Sequence, residues 1–413
     1  MKCLPSMRIR ALILTSAVTA SFAGPVTTVP WNGHPGAVSF TFDDACASQL
    51  TNAVPALKAR KINATFFLYN SGNAFTNNKA AWVSAAKDGN ELANHTLDHS
   101  DLSKATNAAT EVTSMATLLR GADPSVEAVT LAYPGCAVGN ETAVGAENFL
   151  ARSCLFSAPY TPLQWKNQPS DWLNVAAIYV SDDATASGPT ITAIDAAKNG
   201  GWISTLVHGV GGDWLTISTP NVTAMFDRAI KDSLWVGTYQ QVGAYWRAHF
   251  TMDAVGLPTG ASPSVLEWGS PHPRMPKSVM LKVKIDTAAF GKSFAVSQDD
   301  VAIPANADGS YTIDFMKLKM NVTRKMTGID DPTIYGTVRA TVAGSSLVFK
   351  GLTAGSYTLS LRTVSGTLIR RLPLAVSTGE IRVPLPGSTS GRRILAILDA
   401  PGMDTRTFPV MVP

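Results

Sequence analysis

The chain is poor in charge. Asp, Glu, Lys and Arg make up only 15% of its 413 residues, the formal net charge is +4, and no dense Lys/Arg block occurs. That composition argues against a nucleic-acid footprint. Cysteine is scarce, with four residues, and so is histidine, with six. Once the N-terminus is set aside, Cys46, Cys136 and Cys154 leave room for one disulfide and one free thiol in an oxidising compartment. Beyond the N-terminus no segment is long and apolar enough to cross a membrane.

What the chain does have is apolar residues, at 45% of the total. That supports a sizeable core, and the length predicts two or three domains. Lys2, Arg8 and Arg10 precede a short apolar run, Ala11 to Ala20, and then Ser21-Phe22-Ala23. This reads as a secretory signal cleaved after Ala23, which predicts a secreted or extracytoplasmic protein. Asn-x-Ser/Thr sequons occur, but one is Asn94-His95-Thr96, where a glycan would obstruct the site described below. The sequons are therefore read as chance and the chain as a bacterial secreted protein.

From about Ala37 the pattern alternates between strand and helix. Apolar, β-branched runs end at Asp43-Asp44, Leu68, Asn94, Tyr133, Phe156, Val180 and Val207. Helical spacing covers Gln49 to Arg60, Lys79 to Asp88, Ala108 to Leu119 and Asn221 to Ser233. Leu234 to Thr238 reads as a closing strand. Repeated strand–helix units predict parallel strands with right-handed crossovers, an α/β barrel whose chemistry sits at the C-terminal strand ends. Residues 251–277 are rich in Pro, Gly and Ser and read as a linker. Beyond them the period becomes two, which predicts two small sandwich-like β modules, at 278–335 and 336–413. No cluster of aromatics marks either as a sugar binder, and a structural or sorting role is the simpler reading.

Two short pieces carry the chemistry. Val38 to Asp44 is a buried strand that delivers two adjacent carboxylates, and Asn94 to Ser100 carries His95 and His99. On a helical turn, residues four apart share a face, so both imidazoles can meet one ion. One carboxylate with two imidazoles makes an open three-ligand site of the kind hydrolytic zinc enzymes use, and the other carboxylate is left free to act as a base. Each piece alone is commonplace: an Asp-Asp after a strand is usually a turn, and a His-x3-His is usually solvated. Their joint occurrence raises the metal reading above both.

These residues resemble the polysaccharide deacetylase family, also called the NodB homology domain or carbohydrate esterase family 4, over roughly residues 35 to 250. Thr41-Phe42-Asp43-Asp44 resembles its first motif, His95-Thr96-x-x-His99 its second, Ala132-Tyr133-Pro134-Gly135 its third and Leu206-Val207-His208 its fifth. The resemblance implies a distorted (β/α)7 barrel over residues 24–250 and a divalent metal, most often Zn2+, with Co2+ or a similar ion able to substitute. It implies that Asp43 is the general base, that Asp44, His95 and His99 hold the metal, and that His208 is the general acid. The backbone of Gly135 would help to bind the oxyanion, and Leu206 and Tyr133 would line the substrate pocket. The partner would be a polysaccharide or oligosaccharide substrate.

The chain departs from the family pattern in three ways. Ala132 stands where an arginine orients the base, and Gly135 and Cys136 replace the usual aromatic and glycine. The fourth motif, an Asp-Trp pair that tunes the acid, has Asp171-Trp172 as its best match, with Asp182 and Asp183 as alternatives. Arg152 follows the next expected helix and is the candidate to supply the missing guanidinium from another strand; its bland reading is a surface arginine at a helix end. Trp165, Trp172, Trp202 and Trp214 fall near strand ends, where most tryptophans are core, and Trp214 is the first choice for stacking on a sugar. Cys46–Cys136 and Cys136–Cys154 are rival disulfides. Three functions compete: a secreted polysaccharide deacetylase acting on N-acetyl or O-acetyl groups, a catalytically impaired glycan-binding protein, and another barrel metal hydrolase. The last usually opens on His-x-His rather than Asp-Asp.

Overall fold

The computed structural model of the chain describes residues 25–255, 264–286, 290, 294–324, 338–352, 354–377, 379–400 and 405–412. The expected signal segment and part of the expected linker lie outside them. The described chain forms two compact units, one reaching residue 323 apart from residues 291–294, the other made of those four residues and 324–413.

In the first unit seven strands close a parallel barrel: β1 (Ala37–Asp43), β2 (Thr65–Leu68), β3 (Glu91–Asn94), β4 (Thr130–Ala132), β5 (Leu150–Leu155), β6 (Val175–Tyr179) and β7 (Gly201–Val207). Closure is made by β7 against β1, in register from Ala37↔Trp202 to Phe42↔Val207. The expected closing strand is only Trp235–Val236, which lies on the outer edge of β1. All seven positions of β1 and of β7 are buried, as strands covered on both faces require. Helices packed outside complete the core, with Leu57, Met115, Leu119, Val222, Met225 and Phe226 against the sheet.

The N-terminal rim is sealed by a helix that the periodicity did not suggest, Tyr239–Asp253. It starts with a capping box, in which Thr238 and Gln241 bond reciprocally. Its first residue reaches into the barrel floor, where the Tyr239 hydroxyl donates to the carbonyls of Ala151 and Val175. A tryptophan cluster fills the same rim: Trp31, Trp165, Trp172, Trp202 and Trp246 pack edge to face or tilted.

The lead-in also has structure. Val26–Thr28 pairs antiparallel with Met280–Ile285, which in turn pairs with Tyr311–Asp314. A second small sheet joins Ser264–Glu267, Lys319–Arg324, Phe294–Gln298 and Val301–Ile303. Within the other unit, three strands from Arg339 to Pro384 and four from Gly355 to Met411 form two antiparallel sheets around one core that includes Phe349, Leu359, Leu361, Ile394 and Leu398. The C-terminal region is therefore all-β.

Candidate metal and catalytic site

Each polar cluster sits where a barrel strand runs out. β1 ends at Asp43, and the next residue, Asp44, turns the chain with a φ of 73°. A non-glycine residue in that region costs about 1–2 kcal/mol, and such strain collects at functional turns. Gln49, fully buried just beyond this turn, donates from Nε2 to the carbonyls of Asp43 (2.5 Å) and His208 (2.9 Å). One side-chain amide thus ties together the ends of the two strands that close the barrel.

His95 and His99 come together by a different route from the one expected. Residues 95–100 form no helical turn; Thr96 and His99 both have left-handed backbones, at φ 63° and 57°. Asn94 and Glu111 hold this loop instead. Asn94 accepts from the Thr96 amide and donates to the Val112 carbonyl, and the buried Glu111 carboxylate accepts from the Asp98 amide. The two imidazole rings end 4.8 Å apart.

The ligand geometry is specific. His95 Nδ1 donates to the Ala132 carbonyl at 2.8 Å, so in the neutral ring Nε2 carries a lone pair. That nitrogen faces Asp44 Oδ1 at 3.3 Å, and His99 Nε2 faces the same oxygen at 3.2 Å. Asp44 Oδ1 is buried and accepts no hydrogen bond. Lone pairs facing one another at this distance require a proton or a cation between them. Metal–ligand distances of ~2.0–2.1 Å in a tetrahedron separate neighbouring ligands by about 3.3 Å, which matches the spacing here. Among the described residues this is the one group of three metal-ligand side chains whose ligand atoms lie within 4.8 Å of each other. The donor set therefore fits a divalent ion.

Asp43 borders that group, with Oδ2 3.8 Å from His95 Nε2, but is engaged from another strand. Arg152, on β5, is fully buried and reaches across the barrel interior to donate from Nη2 to Asp43 Oδ2. Its guanidinium lies 5.0 Å from the Phe67 ring centre. Asp43 Oδ1 accepts no hydrogen bond. His208 follows β7, with Nε2 3.7 Å from Asp44 Oδ2. Its Nδ1 is buried and unpartnered, between Tyr179 and Trp214. Burial lowers the His208 pKa against the opposing pull of Asp43 and Asp44. Burial also opposes the charge on Asp44, but the facing His95 and His99 rings, with the fields of His95 and His208, outweigh it and hold this carboxyl far below its ordinary range. For His95 burial again works against the charge, and the fields of Asp43 and Asp44 win, so its pKa rises.

A cavity of about 150 Å³ opens over these groups. Gly135, Leu206, Tyr133 and Trp214 line it, as do Phe156 and Tyr179. The Tyr133 ring also packs into the apolar cluster of Leu102, Val112, Leu131 and Val144. Gly135 has φ 58°, and no atom lies within 4 Å of where a Cβ would stand. Its lack of a side chain therefore serves backbone conformation rather than space.

Asp171 is not brought to the site. It precedes β6 at the N-terminal rim, where its carboxylate caps the Leu173 amide and Trp172 packs on Trp246. Asp182 and Asp183 are engaged elsewhere: Asp182 caps the Thr185 amide and Asp183 accepts from the Ser218 amide. Trp165 and Trp202 are core, while Trp214 is 56% exposed. Cys136 pairs with Cys154, tying the turn after β4 to β5, and Cys46 is a buried free thiol. Phe156 and Tyr179 escaped the sequence reading. Both stand at C-terminal strand ends, and that position alone could have flagged them.

Residues 32–149 match the model of the polysaccharide deacetylase family. No functionally curated protein matches the chain significantly. Among solved structures it is similar to the CE4 domain of a multidomain xylanase from the hindgut metagenome of Trinervitermes trinervoides, with 17% identity over 50% of this chain and 89% of that one and a TM-score of 0.35. It is also similar to a peptidoglycan deacetylase of Bacillus subtilis, with 17% identity, 50% and 89% coverage and a TM-score of 0.34. A third is a CE4 family pseudoenzyme from Bacillus anthracis, with 15% identity, 51% and 66% coverage and a TM-score of 0.36.

Proposed function

From the membership of residues 32–149 in the polysaccharide deacetylase family, we propose that this chain is a secreted, metal-dependent hydrolase that removes acetyl groups from a polysaccharide. The carrying observation is the division of labour between two adjacent carboxylates: Asp44 faces His95 and His99, while Asp43 faces Arg152.

Asp44, His95 and His99 would hold the ion. A set of two imidazoles and one carboxylate suits Zn2+, with Co2+ able to substitute. When bound, the ion supplies Lewis acidity towards the acetyl carbonyl and lowers the pKa of a water. The other tasks belong to the chain. Arg152 fixes Asp43 through Oδ2 and leaves Oδ1 without a partner, so that oxygen can take a proton from water in the cavity. His208 Nε2, on the other side of Asp44, can hold a proton and pass it to the departing nitrogen or oxygen. The left-handed turn at Gly135 offers its backbone N–H to the developing oxyanion. Leu206 gives the acetyl methyl an apolar wall. The cavity is well below the ~300–1,000 Å³ of sites that engulf a whole ligand, so it suits an acetyl group while the sugar chain lies outside against Trp214, Phe156 and Tyr179.

A disulfide between Cys136 and Cys154 accords with an oxidising, extracytoplasmic location. The deciding assay is acetate release from N-acetylated chitooligosaccharides, peptidoglycan fragments and acetylated xylan, with and without a chelator. Release that a chelator abolishes and Zn2+ restores is the expected result. Sugar binding with no release from any substrate under added Zn2+ would establish the rival reading, a catalytically impaired glycan-binding protein.

A further inference from the structure

The loop from Gly209 to Ser218 is built at considerable conformational cost. Gly211, Asp213 and Leu215 all have left-handed backbones, at φ 64°, 61° and 45°. For the two non-glycine residues this costs about 1–2 kcal/mol each. A Cβ at Gly209 would lie 2.1 Å from the Gly212 carbonyl oxygen, so that position admits no side chain without a shift. The loop is pinned from below: the Asp213 carboxylate accepts from the Ser48 amide, the Ser48 hydroxyl donates to the Gly212 carbonyl, and the Val210 amide donates to the Ser48 hydroxyl. Internally, the Gly209 amide donates to the Trp214 carbonyl and the Ile217 amide to the Gly209 carbonyl.

All of this construction presents one large side chain that is 56% exposed, Trp214. Burial does not account for it. Its polar atom does have a partner: the indole Nε1–H donates to Asp44 Oδ2 at 3.1 Å, while Asp44 Oδ1 faces the two histidines. The ring lies 4.8 Å from that of His208. An acetate-like side chain can turn about its Cβ–Cγ bond or offer both oxygens to a cation. A donor fixed on one oxygen prevents both.

We propose that Trp214 is a positioning residue for Asp44. Its indole N–H holds Oδ2 so that Oδ1 alone is directed at His95 and His99, and the strained loop exists to keep the indole there. This rests on the reading of Asp44, His95 and His99 as the metal-holding group. Outer partners of this kind typically change metal affinity by 10–100-fold.

The test is Zn2+ affinity, measured on the full chain by competition with a chromophoric chelator. Three proteins are compared: wild type, Trp214→Phe, which keeps a ring but loses the N–H, and Gly209→Ala, which keeps the indole but must displace its loop. The thermal unfolding of each is recorded alongside. Both variants are expected to bind Zn2+ roughly 10–100-fold more weakly than wild type; Trp214→Phe should unfold at a temperature close to that of wild type, and Gly209→Ala, whose Cβ meets backbone, at a lower one. Affinity within twofold of wild type in Trp214→Phe overturns the proposal and leaves the metal site standing. A wild type that binds no Zn2+ removes the metal reading and this inference with it.

Discussion

Replacing Arg152 by methionine removes the one hydrogen-bond donor of Asp43 while nearly preserving the volume of a fully buried side chain. The carboxylate is 2% exposed and its other oxygen has no partner, so the variant leaves an uncompensated charge in the barrel interior. Breaking a buried pair in this way costs about 3–5 kcal/mol, which for a unit of this size lowers the melting temperature by roughly 6–20 °C. The reverse term matters as well. Arg152 Nε and Nη1 are buried without hydrogen-bond partners, so the wild-type pair already carries two unsatisfied donors. Removing both charges, in Asp43→Asn/Arg152→Met, is therefore expected to recover most of the lost stability. The double-mutant cycle should show a coupling of about 3 kcal/mol or more. Activity should not recover, because an amide takes no proton. Loss of an oriented base lowers kcat by about 10²–10⁴-fold, and Arg152→Met should already fall in that range in the acetate-release assay. The reasoning fails if Arg152→Met keeps both its melting temperature and its kcat, or if the two substitutions add without coupling.

Other outcomes follow from single features. Serine at Cys136 or Cys154 removes a bridge across a separation of 18 residues, and chemical denaturation should register a loss of about 3 kcal/mol. The Cys46 thiol, pushed up to about 12 by burial and then by the charge of Asp44, is thiolate at a level on the order of 10⁻⁴ at pH 8; it should resist iodoacetamide until denaturant is added. Glu91 is buried and burial raises its pKa, although Thr130, Thr65 and the Gln240 amide bond to it. A folded-state pKa above the unfolded one means that the folded protein binds this proton more tightly. Stability therefore falls as pH rises from the unfolded carboxylate value through the folded one. Glu91→Gln should lose that slope, so its stability relative to wild type should be better at pH 8 than at pH 5; an equal difference at both values would refute the account.

How much of this was legible in the sequence differs from residue to residue. The barrel was legible because a strand buried on both faces leaves a dense apolar run, and three of these runs lead directly into Asp43-Asp44, His95 and His208. The closing strand was misplaced because Gly201–Val207 and Leu234–Thr238 have the same local character, and only tertiary pairing decides between them. The helix Tyr239–Asp253 went unseen because Tyr239, Val242, Ala244, Tyr245, Trp246, Ala248, His249 and Met252 are buried nearly all round, leaving no polar face to give a period. The spacing of His95 and His99 suggested one metal-facing pair, but through a helical turn. The actual device is a left-handed loop held by Asn94 and Glu111, which periodicity does not encode. Asp171-Trp172 matched a motif by residue type, yet its place before β6 puts it at the opposite rim.

Arg152 shows what a barrel permits. Side chains from any of the seven strands that point inward reach the same small volume, so the strand that supplies a given charge is interchangeable in a way the linear order conceals. A scan for an arginine three residues ahead of Gly135 finds alanine and scores a defect. The ring geometry meanwhile brings a guanidinium to Asp43 from one strand further round. For barrels of this kind, the loss of a motif residue is evidence of lost activity only after the neighbouring strands have been checked for the same charge.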